Sequence, residues 1–413
     1  MLKEKPTIVE LSKLTGYKTI REKLNDKKHS LQFLPIKLKE LSKTQTFLFN
    51  NQKLKTSYVV DIIHNLILKY YFKKENKFHL SSTILKEKYG HLYNNYIDFL
   101  LQYNVISVIS NYRVGKNTRI YKINDDVLKD KIFRYSNEDK ILLKKYKNNV
   151  SQIEETGIKN QLIDDDVKIK LVNDLFYVDI EFERSIFYLD AVMEMDGDIY
   201  NKNKYSVECI NDKHIFYHFD NYGRLHTNFT ILKSFIRKNC LTIDGEQTIE
   251  LDINNSQPLF LTKIINESNT KWVDNDEFEL FKKLTLNGKY YEYIMNCLGI
   301  KDKKIAKELT YKVLFGRNIK KSKSDIQFSK IFPTIHNFIK LYKKDMGDYK
   351  VLAYELQRLE SNLIFNKIIK TIMNEHPEIK VITIHDSIVT QASHKEKVQR
   401  IFNEKILEEF YFI

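Results

Sequence analysis

Two stretches place acidic residues where the neighbours are apolar. "VITIHDSIVT" (381–390) sets His385 and Asp386 among Val381, Ile382, Ile384, Ile388 and Val389. "TIELDINNSQPLFLTKII" (248–265) reads as a strand running into a helix, with Asp252 at the strand's end beside Ile249, Leu251 and Ile253. A carboxylate held in a buried strand costs several kcal/mol unless a cation meets it. Two strand-borne aspartates brought to adjacent positions would clamp two divalent cations. Mg²⁺ suits such a pair, because it takes a few carboxylates and completes its shell with substrate phosphates. Nucleases, phosphatases and structural sites offer the same two residues, so the pair alone leaves the reaction open.

Between the aspartates lies "KDKKIAKELTYKVLFGRN" (301–318). On a helix, Lys303, Lys307, Tyr311 and Phe315 step by four and share one face. Two cations followed by two aromatic rings would hold a triphosphate at one end and stack a base at the other. A solvated lysine face beside a core stripe is the plainer reading, and the position between two aspartates argues against it. Gly316 is expected to end the helix.

The elements that must position these residues have an uneven setting. The chain has 413 residues, 26 Tyr and 25 Phe, enough for two or three domains with proper cores and too aromatic for disorder. Residues 1–150 hold 30 Lys and Arg against 14 Asp and Glu, whereas residues 151–413 hold 38 against 40. A positive excess confined to the front points to a polyanion, because each cation placed near a phosphate releases a condensed counterion. Cys209, Cys240 and Cys297 stand far apart, which disfavours a zinc ribbon or a disulfide framework. The N-terminus has no apolar signal region and no stretch is long and apolar enough to span a membrane, so a reducing cytoplasm is expected.

Residues 1–56 read as short basic helices. From 57 to 124 the pattern is a helix (57–72), a short strand (77–82), a helix stopped by Gly90, a third helix (91–104) and two alternating strands around a Gly-Lys-Asn turn (105–124). That is the order of a winged-helix DNA-binding domain, whose hairpin would present Arg113, Lys116, Arg119 and Lys122 to phosphates. A winged helix used for protein contacts is the alternative. Residues 125–204 read as a helical connector, or reduced thumb, and from 205 short apolar strands alternate with helices in the manner of an α+β domain.

The order of "DNYGR" (220–224), Asp252, a K-x3-K-x7-FG helix and a closing "HDS" resembles the palm and fingers of family A DNA polymerases and of the single-subunit phage and mitochondrial RNA polymerases. The resemblance covers residues 205–400, about half the chain, and rests on four elements in sequence. It implies a right-hand palm with an antiparallel sheet, helical fingers, and a nucleotidyltransferase using two Mg²⁺ ions, with Mn²⁺ as a substitute. Asp252 and Asp386, with Ile253, would contact the metals, and Lys303, Lys307, Tyr311, Phe315 and Gln257 would surround the incoming nucleotide. Arg224 would hold the primer–template backbone, Gln357 of "QRLESNLIFNKII" would touch the minor groove, and His385 would pack or contact the primer. "NGKYYEYIMNCLG" (287–299) resembles the stretch before the fingers helix and implies that Tyr290 and Tyr291 lie near the nucleotide. His226, just after the DNYGR element, would contact nucleic acid or serve as a cap.

The sequence departs from each branch of that family. Asp386 is followed by Ser387, as in the RNA polymerases, where family A DNA polymerases have Glu. Gln257 stands where DNA polymerases place Glu and phage RNA polymerases Gly, and position 315 is Phe where the RNA enzymes use Tyr. A bulky Gln257 beside Tyr311 would exclude a ribose 2′-hydroxyl. The expected activity is therefore DNA-directed DNA synthesis from dNTPs on a primed template, for replication of a phage, plasmid or mobile element. An RNA polymerase or primase on the same scaffold is the first alternative, and a catalytically silent DNA-binding initiator or regulator the second.

Overall fold

The computed structural model describes residues 28–73, 75–111, 119–157, 164–193, 196–268, 273–317 and 322–410. The protein is α+β, with small antiparallel sheets among many helices. No helix among the described residues is long and apolar enough to cross a membrane. The chain forms two compact units, one from residues 1–156, 178–216 and 227–242, the other from 157–177, 217–226 and 243–413.

The first unit corrects the reading of the N-terminal segment in part. Its described part holds one short basic helix, the 3₁₀ turn Ile36–Lys43, among three strands: β1 (Ser30–Pro35), β2 (Thr46–Phe49) and β3 (Gln52–Lys55). β2 and β3 form a hairpin whose turn residues, Asn50 and Asn51, both have positive φ (48° and 60°), as a tight two-residue turn requires. β1 pairs antiparallel with β7 (Ile132–Asn137), Ser30 opposite Asn137. That partner lies about a hundred residues away, so local propensity carries little trace of it.

The stretch after it forms as read: α1 (Thr56–Lys73), β4 (Lys77–His79), α2 (Ser82–Tyr89), α3 (Tyr93–Gln102), β5 (Ile106–Ser110) and β6 (Ile120–Ile123), the strands in the order β4-β6-β5. Ser81 caps α2 by accepting from Ile84 N, and Gly90, at φ 79°, ends it. Asp61 is buried on α1, where it accepts from Gln32 of β1 (2.7 Å) and Tyr89 of α2 (2.6 Å) and pairs with Lys88. A buried carboxylate satisfied in this way fixes the helix against both neighbours. Of the four hairpin cations, Arg113 and Lys116 lie outside the described residues, Arg119 is exposed, and Lys122 is half-buried in β6. The same unit holds β8 (Val178–Ile180) and the helices Phe182–Met193 and Gly197–Asn211. Leu241–Ile243 is β11.

The second unit departs from the expected boundaries at 125 and 205. Residues 164–177 of the supposed connector belong to it, whereas 178–216 and 227–242 belong to the first. The reason is visible in α4 (Asp165–Asp174), where Lys170 is buried, donates to Asp174 Oδ2 and Ile379 O (each 2.8 Å), and Asp174 accepts from Val381 N. This ion pair ties α4 to the start of β13 (Val381–Ile384). Two short strands, β9 (Tyr217–Phe219) and β10 (Leu225–Thr227), flank the DNYGR turn. In the larger sheet β14 (Ser387–Gln391) runs antiparallel between β12 (Glu246–Asp252) and β13, with Asp252 opposite Ser387 and Ile384 opposite Ser387 from the other side.

Candidate active site

β12 ends at Asp252, and after a short turn through Asn255, in the left-handed region at φ 55°, the chain enters α5 (Ser256–Glu267). The expectation that His385 and Asp386 lie within a buried strand is corrected. They form the two-residue turn between β13 and β14, with His385 at φ 57° and exposed, and Asp386 half-exposed. A hairpin this tight needs a residue with positive φ, and its polar residues escape the alternation of the flanking strands. Asp386 therefore stands at the end of the sheet where β12 delivers Asp252.

Solvent reaches Asp252, yet the protein around it desolvates the carboxyl, and the charges of Asp386 and Glu250 add to the effect. Its pKa rises to about 7, against a partial offset from Lys307 and from the N–H of Ile253. Glu250 shares the face of Asp252 two residues earlier on β12 and accepts from Ser387 Oγ (3.0 Å). Such an excess of negative charge is what a dication neutralises. The carboxylates of Asp252, Asp386 and Glu250 do not bring three ligand atoms within 4.8 Å of one another. Among the described residues only His29, Asp212 and His214 do so. Two carboxylates still suffice for Mg²⁺ when phosphates complete its shell. Ile253 is buried and offers a metal only its carbonyl.

The helix between the aspartates is α7 (Lys303–Phe315). Ala306, Leu309, Thr310, Val313 and Leu314 are buried, while Lys303, Lys307 and Tyr311 are exposed and Phe315 is half-buried. The four-residue stripe thus lies away from the helix's packed face, and its rings at 311 and 315 sit 5.4 Å apart. Lys307 is close enough to Asp252 to lower its pKa, and Tyr311, raised chiefly by burial, also feels Asp386, Glu360 and Asp252. Lys307 and Tyr311, the middle pair of the stripe, therefore lie near the carboxylates. Behind it, in α6 (Tyr290–Leu298), Tyr291 hydrogen-bonds to Tyr311 and lies 5.7 Å beneath Lys307 Nζ. Burial, then Tyr311, holds the Tyr291 phenol above its ordinary value. Tyr290 does not join the site: it is fully buried against Phe281 and Phe332, with its hydroxyl 3.3 Å from Thr310.

The end of α7 is built with care. Lys343 of α8 (Pro333–Asp345) is buried and donates to Val313 O (2.7 Å) and Gly316 O (2.9 Å), and burial pulls its pKa down to about 8. A Cβ at position 316 would meet Lys312 O at 2.2 Å, so only glycine fits this close approach.

Sequence reasoning passed over Glu360 of α9 (Val351–Ser361). It is 1% exposed, and its carboxylate accepts from Arg224 Nε (3.0 Å) and Nη2, from Ser256 Oγ (2.8 Å) and from Gln257 Nε2. Arg224, expected on nucleic acid, spends these two donors inside the protein. Gln257 is buried and held, with no partner for Oε1 among the described residues. A signal was present: Leu352, Leu356, Glu360 and Ile364 step by four, so Glu360 occupies a core position. Gln357, one turn earlier, is half-buried.

Around the DNYGR turn, Asp220 accepts from Tyr222 N (2.9 Å), Arg224 N (3.0 Å) and His226 Nε2 (2.9 Å). Burial works to raise its pKa, and these hydrogen bonds, that of His226 foremost, lower it. Tyr222 stacks on Tyr354 at 4.2 Å, and His226 meets the His385 ring edge-on at 6.5 Å. No protein-family model matches this chain, and no curated protein gives a significant match to it.

Proposed function

We propose that the protein is a template-directed DNA polymerase that transfers nucleotides from dNTPs to a primer 3′-hydroxyl. The observation that carries this reading is electrostatic. Asp252 and Asp386 repel at the end of one sheet, and the lysine and tyrosine of a K-x3-K-x7-FG helix face them. A pair of acids beside a cationic, aromatic surface suits a polyphosphate carrying a base and its metal ions.

Asp252 and Asp386 would hold two Mg²⁺ ions, which when bound would acidify the primer hydroxyl and neutralise the leaving pyrophosphate. Lys307 and Lys303 place positive charge along the path of the triphosphate. Tyr311 and Phe315 offer a flat floor for base and sugar. Gln257, held by Glu360, would act as a steric stop against a ribose 2′-hydroxyl, which favours deoxynucleotides. His385, exposed at the hairpin tip, and Gln357 on α9 would contact the primer strand. Duplex DNA would also engage the basic front of the chain.

Primer extension on a primed single strand with Mg²⁺ and dNTPs tests the proposal. Asp252→Asn and Asp386→Asn should each cut extension roughly a thousandfold, about 4 kcal/mol of lost transition-state stabilisation. Extension by both variants at the wild-type rate would refute it. Synthesis from rNTPs without a primer would instead establish the RNA polymerase or primase reading, which Ser387 after Asp386 favours.

A further inference from the structure

Outside the candidate active site, one cluster has the geometry of a metal centre. His29 Nε2 and His214 Nε2 both face Asp212 Oδ2, at 3.4 and 3.8 Å. These separations exceed the 2.7–3.2 Å of an ordinary N–H···O bond. They approach the distance between two ligands of a tetrahedral zinc ion, about 3.3–3.4 Å when each sits about 2.0–2.1 Å from the metal. We propose that His29, Asp212 and His214 form a zinc site that clamps the chain entering β1 to the end of the helix Gly197–Asn211.

The backbone prepares this arrangement. Asp212 and His214 flank Lys213, which adopts φ 53° as the helix terminates, and His214 N donates to Cys209 O. Lys213 is itself held, its Nζ bonded to Val178 O and 2.6 Å from Asp179. The turn projects residues 212 and 214 together, so both donors are set before any ion arrives. Asp212 Oδ1 accepts from Arg134 Nη2 at 2.8 Å, leaving Oδ2 toward the imidazoles. A hydrogen bond of this kind commonly orients a ligating carboxylate. The two imidazoles stack at 6.0 Å with 22° between planes, and Tyr146 covers the His214 ring at 6.2 Å.

Charge and chemistry agree with a soft dication. Arg134 also approaches Glu208 (3.8 Å), so one guanidinium serves both carboxylates at this end of the helix. Two imidazoles and one carboxylate favour Zn²⁺ over Mg²⁺. His29 and Asp212 keep some solvent access, so water can take the fourth position.

The test uses the full chain, freed of metal by a chelator and titrated with ZnCl₂ by calorimetry, with Co²⁺ absorption as an independent report of geometry. The wild type should bind one zinc per chain and give the intense visible bands of tetrahedral Co²⁺. His29→Gln removes a partly exposed ligand and keeps the Arg134–Asp212 pair. It should retain the wild-type circular dichroism and lose at least about a hundredfold in zinc affinity. Asp252→Asn should leave the zinc stoichiometry unchanged, which separates this site from the candidate active site. Absence of zinc binding, equal affinity in wild type and His29→Gln, octahedral Co²⁺ spectra, or displacement of zinc by excess Mg²⁺ would each overturn the proposal.

Discussion

At the scale of the residue, Asp252 makes the sharpest claim. A carboxyl with a pKa of about 7 is half protonated at neutral pH, and a cation that binds it must first displace the proton. Magnesium affinity should therefore fall about tenfold for each pH unit below 7, where an ordinary aspartate would hold its metal down to about pH 4. Calorimetric Mg²⁺ titrations between about pH 5.5 and about pH 8, on either side of the midpoint, would read this directly. Lys307→Ala removes a positive charge that lowers the Asp252 pKa, so the whole profile should move to higher pH. A profile identical to the wild type would mean that Lys307 does not face the carboxylate.

At the scale of the element, Glu360 joins three pieces of chain that are distant in sequence: the DNYGR turn, the start of α5, and α9. Replacing it by alanine strands the Arg224 guanidinium and two polar groups in a buried setting. Glu360→Ala should cost about 2–4 kcal/mol in urea denaturation, and Glu360→Gln, which keeps the shape and part of the hydrogen bonding, should cost less. The loosened Gln257 should also admit ribonucleotides more readily in extension assays. An alanine variant as stable as wild type would show that the three elements are held by packing alone. The same logic explains Gly316 and Lys343, which together define where α7 stops and so where Phe315 points.

At the scale of the whole molecule, the positive excess of residues 1–150 is the feature that most directly concerns a partner. If that surface binds duplex DNA, the logarithm of the binding constant should fall linearly with the logarithm of salt concentration. Arg119→Ala and Lys122→Ala should each reduce the slope by about 1 while weakening all sequences alike, as measured by fluorescence anisotropy in the full chain. Slopes unchanged in both variants would remove the hairpin from the interface. Strong, salt-sensitive binding with no turnover in any nucleotide mixture would favour the regulator over the enzyme.

Periodicity carried the local structure well. α1, α2, α3, α5 and α7, the ends at Gly90 and Phe315, and the strand leading to Asp252 were all legible, because each depends on contacts within a few residues. The stripe 303–307–311–315 was legible for the same reason. Tertiary structure alone decided the rest. Whether Tyr290 or Tyr291 faces the site, that β1 is a strand, and that Arg224 is held by Glu360 depend on partners tens to hundreds of residues away. Side chains in such positions answer to the neighbour that folding supplies, and linear spacing has no means of naming it.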